Sequence, residues 1–165
     1  MSSNINEIKG DLISLALEGK FDVIAHGCNC FCTMGAGIAL PMAQTFGADI
    51  IDDGYEADYY KFLEWHRSEK LGNIDWYYPK EDLNIDCPDN LIVVNAYTQY
   101  NLGRHLDYEA LTLCLRKMNF IFAGKHIGLP QIGCGIAGGD WNIVSEIIKK
   151  ELTDCKVTIV IFDNE

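Results

Sequence analysis

Two stretches of the same design constrain what this chain can fold into. The first, His26-Gly27-Cys28-Asn29-Cys30-Phe31-Cys32-Thr33-Met34-Gly35-Ala36-Gly37-Ile38-Ala39, follows the apolar run Phe21 to Ala25 and leads into a helix-like run, Ile38 to Phe46. The second, Leu129-Pro130-Gln131-Ile132-Gly133-Cys134-Gly135-Ile136-Ala137-Gly138-Gly139-Asp140-Trp141, again joins a strand-like run to a helix-like one. A strand that ends in polar residues, passes through closely spaced glycines and enters a helix offers an anion backbone N–H groups unobstructed by Cβ atoms. Each loop suits a phosphate, and the pair suits a diphosphate held between them.

The rest of the chain supplies a frame for these loops. Ile5, Ile8 and Lys9-Gly10-Asp11-Leu12 predict a short strand that turns at Gly10, and Leu12 to Leu17 predict a helix ending at Gly19. Asp11 stands where a helix N-cap belongs, and both a cap and a ligand contact are open to it. Phe21 to Ala25 then reads as a buried strand. Strand, helix and strand joined by short turns imply parallel pairing and a layered α/β architecture.

Ala36 to Phe46 predicts a helix whose start is shifted by Pro41, and Tyr55 to Lys70 has the spacing of a surface helix. Asn73 to Tyr78 and Leu91 to Thr98 are strand-like, and the polar Pro79 to Asn90 segment between them reads as a turn or longer loop. These two strands are expected to pair antiparallel, which makes the sheet mixed. Tyr108 to Phe122, with Leu111, Leu113, Leu115, Met118 and Phe122, predicts the longest helix. Ile127 to Ile132 is the next strand, Asp140 to Leu152 an amphipathic helix turning Trp141, Val144, Ile147 and Ile148 to the core, and Val157 to Phe162 a last buried strand. With 165 residues and no repeat or linker, one domain over 1–165 is expected.

A formal net charge of −11 argues against broad electrostatic binding to a nucleic-acid backbone or an anionic membrane, so a phosphate ligand must be held locally by backbone N–H groups. No apolar run approaches the length of a membrane span, and the first residues carry no secretory signal, so a cytoplasmic location is expected. The seven cysteines are an odd number, which fits reduced packing thiols better than a disulfide framework.

Three constellations invite a chemical reading. Gly133, Gly135 and Gly138 satisfy a dinucleotide fingerprint, but such a motif opens the first βαβ unit and needs an acid about 20 residues on, whereas here only one helix and one strand remain. The phosphate-cradling part of that reading stands and the nicotinamide part does not. His26, Cys28, Cys30 and Cys32 alternate, with Cys134 in the other loop, yet zinc sites favour a two-residue spacer between cysteines; no metal or other cofactor is expected. His26 is either a core histidine or a titratable group at a strand end beside Asn29, where catalytic groups of α/β folds gather, and the second is expected. Asp140 either caps the last helix or joins His26 in chemistry.

These residues together resemble the macrodomain family, the module that binds ADP-ribose. The likeness runs from Lys9-Gly10-Asp11-Leu12 through both loops to the terminal strand, and its first loop resembles most the fungal-type ADP-ribose 1''-phosphate phosphatases. The resemblance implies a three-layer α/β/α fold with a mixed, mostly parallel central sheet. It implies that Asp11 accepts from the adenine amino group with the Leu12 backbone beside it, and that Phe162 packs on adenine. Asn29 would contact the distal ribose, with Gly35, Ala36, Gly37 and Ile38 lying against that ribose and its phosphate. Gly133, Cys134, Gly135, Ile136 and Ala137 would form the second phosphate loop.

Two departures from the family bear on chemistry. His26 replaces the asparagine of most members, as in the phosphatase branch, and Gln99 follows Thr98 where the related ADP-ribosyl-glutamate and ADP-ribosyl-DNA hydrolases carry a catalytic lysine. The expected activity is hydrolysis of ADP-ribose 1''-phosphate to ADP-ribose and phosphate, with His26 as acid or base, assisted by Asp140. The alternatives are removal of ADP-ribose from protein or nucleic acid, deacetylation of O-acetyl-ADP-ribose, and non-catalytic reading of ADP-ribose. The expected partner is a small ADP-ribose derivative, with ADP-ribosylated macromolecules as a further class.

Overall fold

A computed structural model describes residues 5–53 and 64–162. Runs of β-branched and aromatic residues become strands: β1 (Ile5–Gly10), β2 (Val23–Asn29), β3 (Ile74–Tyr77), β4 (Ile92–Gln99), β5 (His126–Leu129) and β6 (Lys156–Phe162). They form one six-stranded sheet in the order β1-β6-β5-β2-β4-β3. Every neighbouring pair is parallel except β3 with β4, which is antiparallel as the two adjacent strand-like runs predict.

The central strands are apolar on both faces because helices cover both. On one face Val23, Ala25, Ile92, Val94, Ile127 and Val157 pack with Leu111, Leu115 and Met118 of α6 (Tyr108–Ile121) and with Val144 and Ile148 of α7 (Trp141–Glu151). On the other, Ile24, Cys28, Val93, Tyr97 and Val160 pack with Leu12 and Ala16 of α1 (Leu12–Leu17), Met42 and Phe46 of α2 (Ala39–Phe46) and Ala48 of α3 (Ala48–Asp53). The result is the expected three-layer α/β/α arrangement with a mixed, mostly parallel sheet. No helix among the described residues is long and apolar enough to cross a membrane.

Several boundaries differ from the sequence reading. β2 runs on through His26, Gly27 and Cys28 to Asn29, because β4 continues to offer it ladder partners as far as Gln99. α2 starts at Ala39, which puts Pro41 in the first turn, where its missing N–H leaves no intrahelical bond unmade. The Pro79 to Asn90 segment contains a short helix, α5 (Pro79–Leu83), opened by Pro79. Residues 55–63 of the expected Tyr55 to Lys70 helix lie outside the described residues, and Glu64–Lys70 forms α4.

The five parallel strands all end on the same side of the sheet, at Gly10, Asn29, Gln99, Leu129 and Phe162. That edge is where open α/β sheets bind ligands.

Candidate functional site

A cleft of about 870 Å³ opens along this edge. Its walls are the β1–α1 junction with Asp11 and Leu12, the end of β2 with Asn29, the first glycine loop with Gly35, Ala36, Gly37 and Ile38, and the second with Gly133, Cys134, Gly135, Ile136 and Ala137, while Phe162 ends β6 at its rim. All the residues expected to contact a ligand therefore line one space, although they come from opposite ends of the chain.

Local chemistry explains how the loops hold their shape. Gly37 and Gly133 have φ of 60° and 75°, a left-handed backbone that costs a side chain strain. A Cβ on Gly133 would also come 2.7 Å from Leu106 Cδ1. Gly35 and Gly135 differ: a Cβ at either would meet nothing within 4 Å, so both leave open space in the cleft. The second loop is tied inward by Cys134 N–H to Gln131 O (3.1 Å), Gly138 N–H to Gly135 O (3.1 Å) and Gly139 N–H to Gly133 O (2.8 Å). The Ile136 side chain reaches across to the first loop, with its Cδ1 3.4 Å from the place of a Gly37 Cβ.

Asp11 is a true N-cap: its Oδ1 accepts from Ile13 N–H at 2.9 Å and Ser14 N–H at 3.2 Å. Both bonds use the same oxygen, and the residue is solvent-exposed at the mouth of the cleft. Phe162, which its apolar strand alone would place in the core, is 68% exposed. Phe162 thus presents an exposed aromatic ring at the lip of the cleft.

Asn29 lines the cleft but has spent its polar atoms on its own loop. Its Oδ1 accepts from Phe31 N–H (3.0 Å) and Thr33 N–H (3.4 Å), and its Nδ2 donates to Thr33 O (3.0 Å) and Thr33 Oγ1 (2.9 Å). It shapes the chain leading to Gly35 and Gly37. Gln99 does the same for the loop after β4, its Nε2 donating to Asn101 O (2.7 Å) and Gly103 O (2.9 Å).

The two residues expected to carry chemistry, His26 and Asp140, lie outside this lining. His26 lies within β2, not at its end, is fully buried, and does not line the cleft. Its Nε2 is 2.7 Å from Asn95 Oδ1, and burial pushes its pKa down to about 4, against a smaller upward pull from that hydrogen bond. The core reading of this histidine is the one its surroundings support. Asp140 is exposed, caps α7 by accepting from Asn142 N–H at 2.9 Å, and does not line the cleft either.

Among the described residues that line the cleft, Asp11 is the one carboxylate, and no histidine, lysine or arginine joins it. The Cys134 thiol is pushed up, first by burial and then by the charge of Asp140, so it is a neutral wall. No three His, Cys, Asp or Glu side chains among the described residues converge to hold a metal ion. The structure adds Thr98, Gln131 and Leu102 to the lining. Thr98 enters the sequence reading only as the end of a strand-like run and the residue before Gln99, and no local signal marks it as part of the lining.

A mixed sheet of this order, sandwiched by helices and carrying a cleft between two glycine loops at its parallel strand ends, is the architecture that the macrodomain resemblance implies. No protein-family model matches the chain. It is 35% identical over 165 residues to an uncharacterized 17.5 kDa protein of the tk-vs intergenic region of Enterobacteria phage T4, covering 98% of this chain and 97% of that protein. It is 26% identical over 164 residues to the Homo sapiens ADP-ribose glycohydrolase OARD1, covering 95% and 91%. The macrodomain of Thermus aquaticus DarG superposes with a TM-score of 0.65 at 17% identity, over 96% of this chain and 97% of that one. A Trypanosoma brucei macrodomain in complex with ADP-ribose superposes with a TM-score of 0.64 at 14% identity, over 96% and 63%. The chain belongs with the T4 protein in one family, and its fold is the macrodomain fold.

Proposed function

We propose that this protein binds ADP-ribose in the cleft between its two glycine loops. The observation that carries the reading is the convergence of Asp11, Phe162, Gly35 and Gly135 on one space of about 870 Å³, within the range of small-molecule sites. Adenine would lie between the Asp11 carboxylate and the Phe162 ring, the diphosphate against the two loops, and the distal ribose toward Gly27 and Asn29. A net charge of −11 is no obstacle, because oriented backbone N–H groups hold phosphate through local partial charges.

A second reading adds chemistry at the distal ribose: hydrolysis of ADP-ribose 1''-phosphate, or of ADP-ribose linked to a macromolecule or an acetyl group. It is favoured by the likeness to a human ADP-ribose glycohydrolase along 95% of the chain and by the first loop's resemblance to the phosphatase branch. With no imidazole among the described lining residues, such a reaction would rest on substrate positioning and on charge stabilisation by backbone N–H groups rather than on His26. A non-catalytic reader fits the same lining, in which no imidazole stands among the described residues.

Titration calorimetry with ADP-ribose, ADP and AMP tests the binding, and the expected order is ADP-ribose tightest. Equal affinity for unrelated nucleotides overturns the reading. Incubation with ADP-ribose 1''-phosphate, ADP-ribosylated protein, ADP-ribosylated DNA and O-acetyl-ADP-ribose then separates hydrolase from reader: turnover of any one makes it an enzyme, and binding without turnover a reader.

A further inference from the structure

β4 loses one residue from its ladder with β2. Cys28 pairs with Tyr97 and Asn29 with Gln99, so Thr98 is the extra residue of a bulge. Bulges beside sites re-aim a side chain that regular alternation would send elsewhere. Here Thr98 is one of the residues that line the cleft, is wholly buried, and its Oγ1 has no hydrogen-bond partner among the described residues. Burying a hydroxyl without a partner destabilises a fold, and such orphans call for an explanation.

The neighbours account for the orphan. Gly27 lies beside it, and a Cβ there would come 2.9 Å from Thr98 Oγ1 and 3.5 Å from Ile132 Cγ1. The glycine thus keeps open the space next to the hydroxyl, and Ile132 makes its far wall apolar. Asn29 and Gln99, which flank the bulge, direct their amide groups into their own loops. Thr98 Oγ1 is thus the one buried side-chain N or O atom without a partner among the described residues.

We propose that Thr98 Oγ1 is a ligand contact that holds a hydroxyl of the distal ribose on the floor of the cleft. The inference rests on the ADP-ribose reading and names a contact that reading lacks. A threonine hydroxyl both donates and accepts, which matches a sugar hydroxyl, whose oxygen also does both. Its position beside Gly27, beyond the two phosphate loops, puts it past the diphosphate. The protein carries the unpaired group in the free state and regains the bond when ligand arrives.

Thr98→Val keeps the shape and removes the hydroxyl, whereas Thr98→Ser keeps the hydroxyl. By calorimetry, Thr98→Val is expected to weaken ADP-ribose binding about two- to tenfold, the worth of one net hydrogen bond, with ADP binding unchanged, and Thr98→Ser to bind both as wild type does. The ligand-free Thr98→Val protein is expected to melt at or above the wild-type temperature, since it buries no orphan. ADP-ribose affinity unaltered in Thr98→Val, or an equal loss for ADP, overturns the contact while leaving the ADP-ribose reading intact. A Thr98→Val protein that melts well below wild type, or fails to fold, means the hydroxyl has an internal partner and overturns it as well. Wild-type protein that does not bind ADP-ribose overturns both.

Discussion

The Nε2 of His26 lies 2.7 Å from Oδ1 of Asn95, and the Nδ2 of the same asparagine donates to the carbonyl of Ala48 at 3.0 Å. The second bond fixes the amide so that its oxygen faces the ring, and the neutral imidazole therefore carries its proton on Nε2. All three residues are fully buried. The pair joins β2, β4 and the start of α3 through the core.

Loss of His26 should accordingly be read as stability. His26→Ala leaves a cavity and an unpaired Asn95 oxygen, and is expected to cost roughly 3 kcal/mol in urea denaturation, with the affinity of the folded fraction for ADP-ribose unchanged. The histidine also makes the fold acid-sensitive. Its pKa falls from 6.5 unfolded to about 4 folded, so the unfolded state takes up the proton first. Stability from this group is complete above pH 6.5 and is lost as the pH drops toward 4, by roughly 3 kcal/mol in all. A His26→Gln protein should lack that part of the pH dependence; an identical slope between pH 6.5 and 4 would count against the buried neutral histidine.

Asp11 has a cap role and a recognition role that two substitutions separate. Asp11→Ser retains a capping oxygen and should keep the melting temperature while weakening adenine recognition by about 1–3 kcal/mol. Asp11→Ala should lose about 1 kcal/mol of stability in addition. If Asp11→Ser binds ADP-ribose normally, the carboxylate is a cap alone.

Phe162 is exposed, so trimming it removes little packing. Phe162→Ala should leave stability within about 0.5 kcal/mol of wild type and reduce affinity for ADP-ribose and AMP alike, by about 1–3 kcal/mol, the usual worth of an aromatic stacked on a base. A loss confined to ADP-ribose would move the ring away from the adenine.

Gly35 and Gly135 face open space, which lets a large side chain enter without disturbing the fold. Gly35→Trp and Gly135→Trp are each expected to give a native circular dichroism spectrum and melting curve but no calorimetric signal with ADP-ribose, because the indole occupies the path of the diphosphate. Normal binding by both variants would make the loops mere turns. Substitution at Gly133, whose backbone is left-handed and packed on Leu106, should instead damage the fold itself.

The sequence by itself determined the layered α/β class, the antiparallel β3–β4 pair and the two glycine loops, because apolar periodicity, glycine spacing and the N-cap at Asp11 act over a few residues. Through the family pattern it also identified the residues that ring the cleft. What the tertiary structure decided were the properties set by residues distant in the chain. The ladder from β2 to β4 carries regular strand past His26 and buries that ring on Asn95, 69 positions away. The same ladder skips Thr98, whose buried hydroxyl is left without a partner among the described residues, while the bonds of Asn29 and Asp140 commit those side chains to loop and helix. Strand register is fixed by pairing and packing between distant segments, and it decides which side chains reach a ligand and which become core.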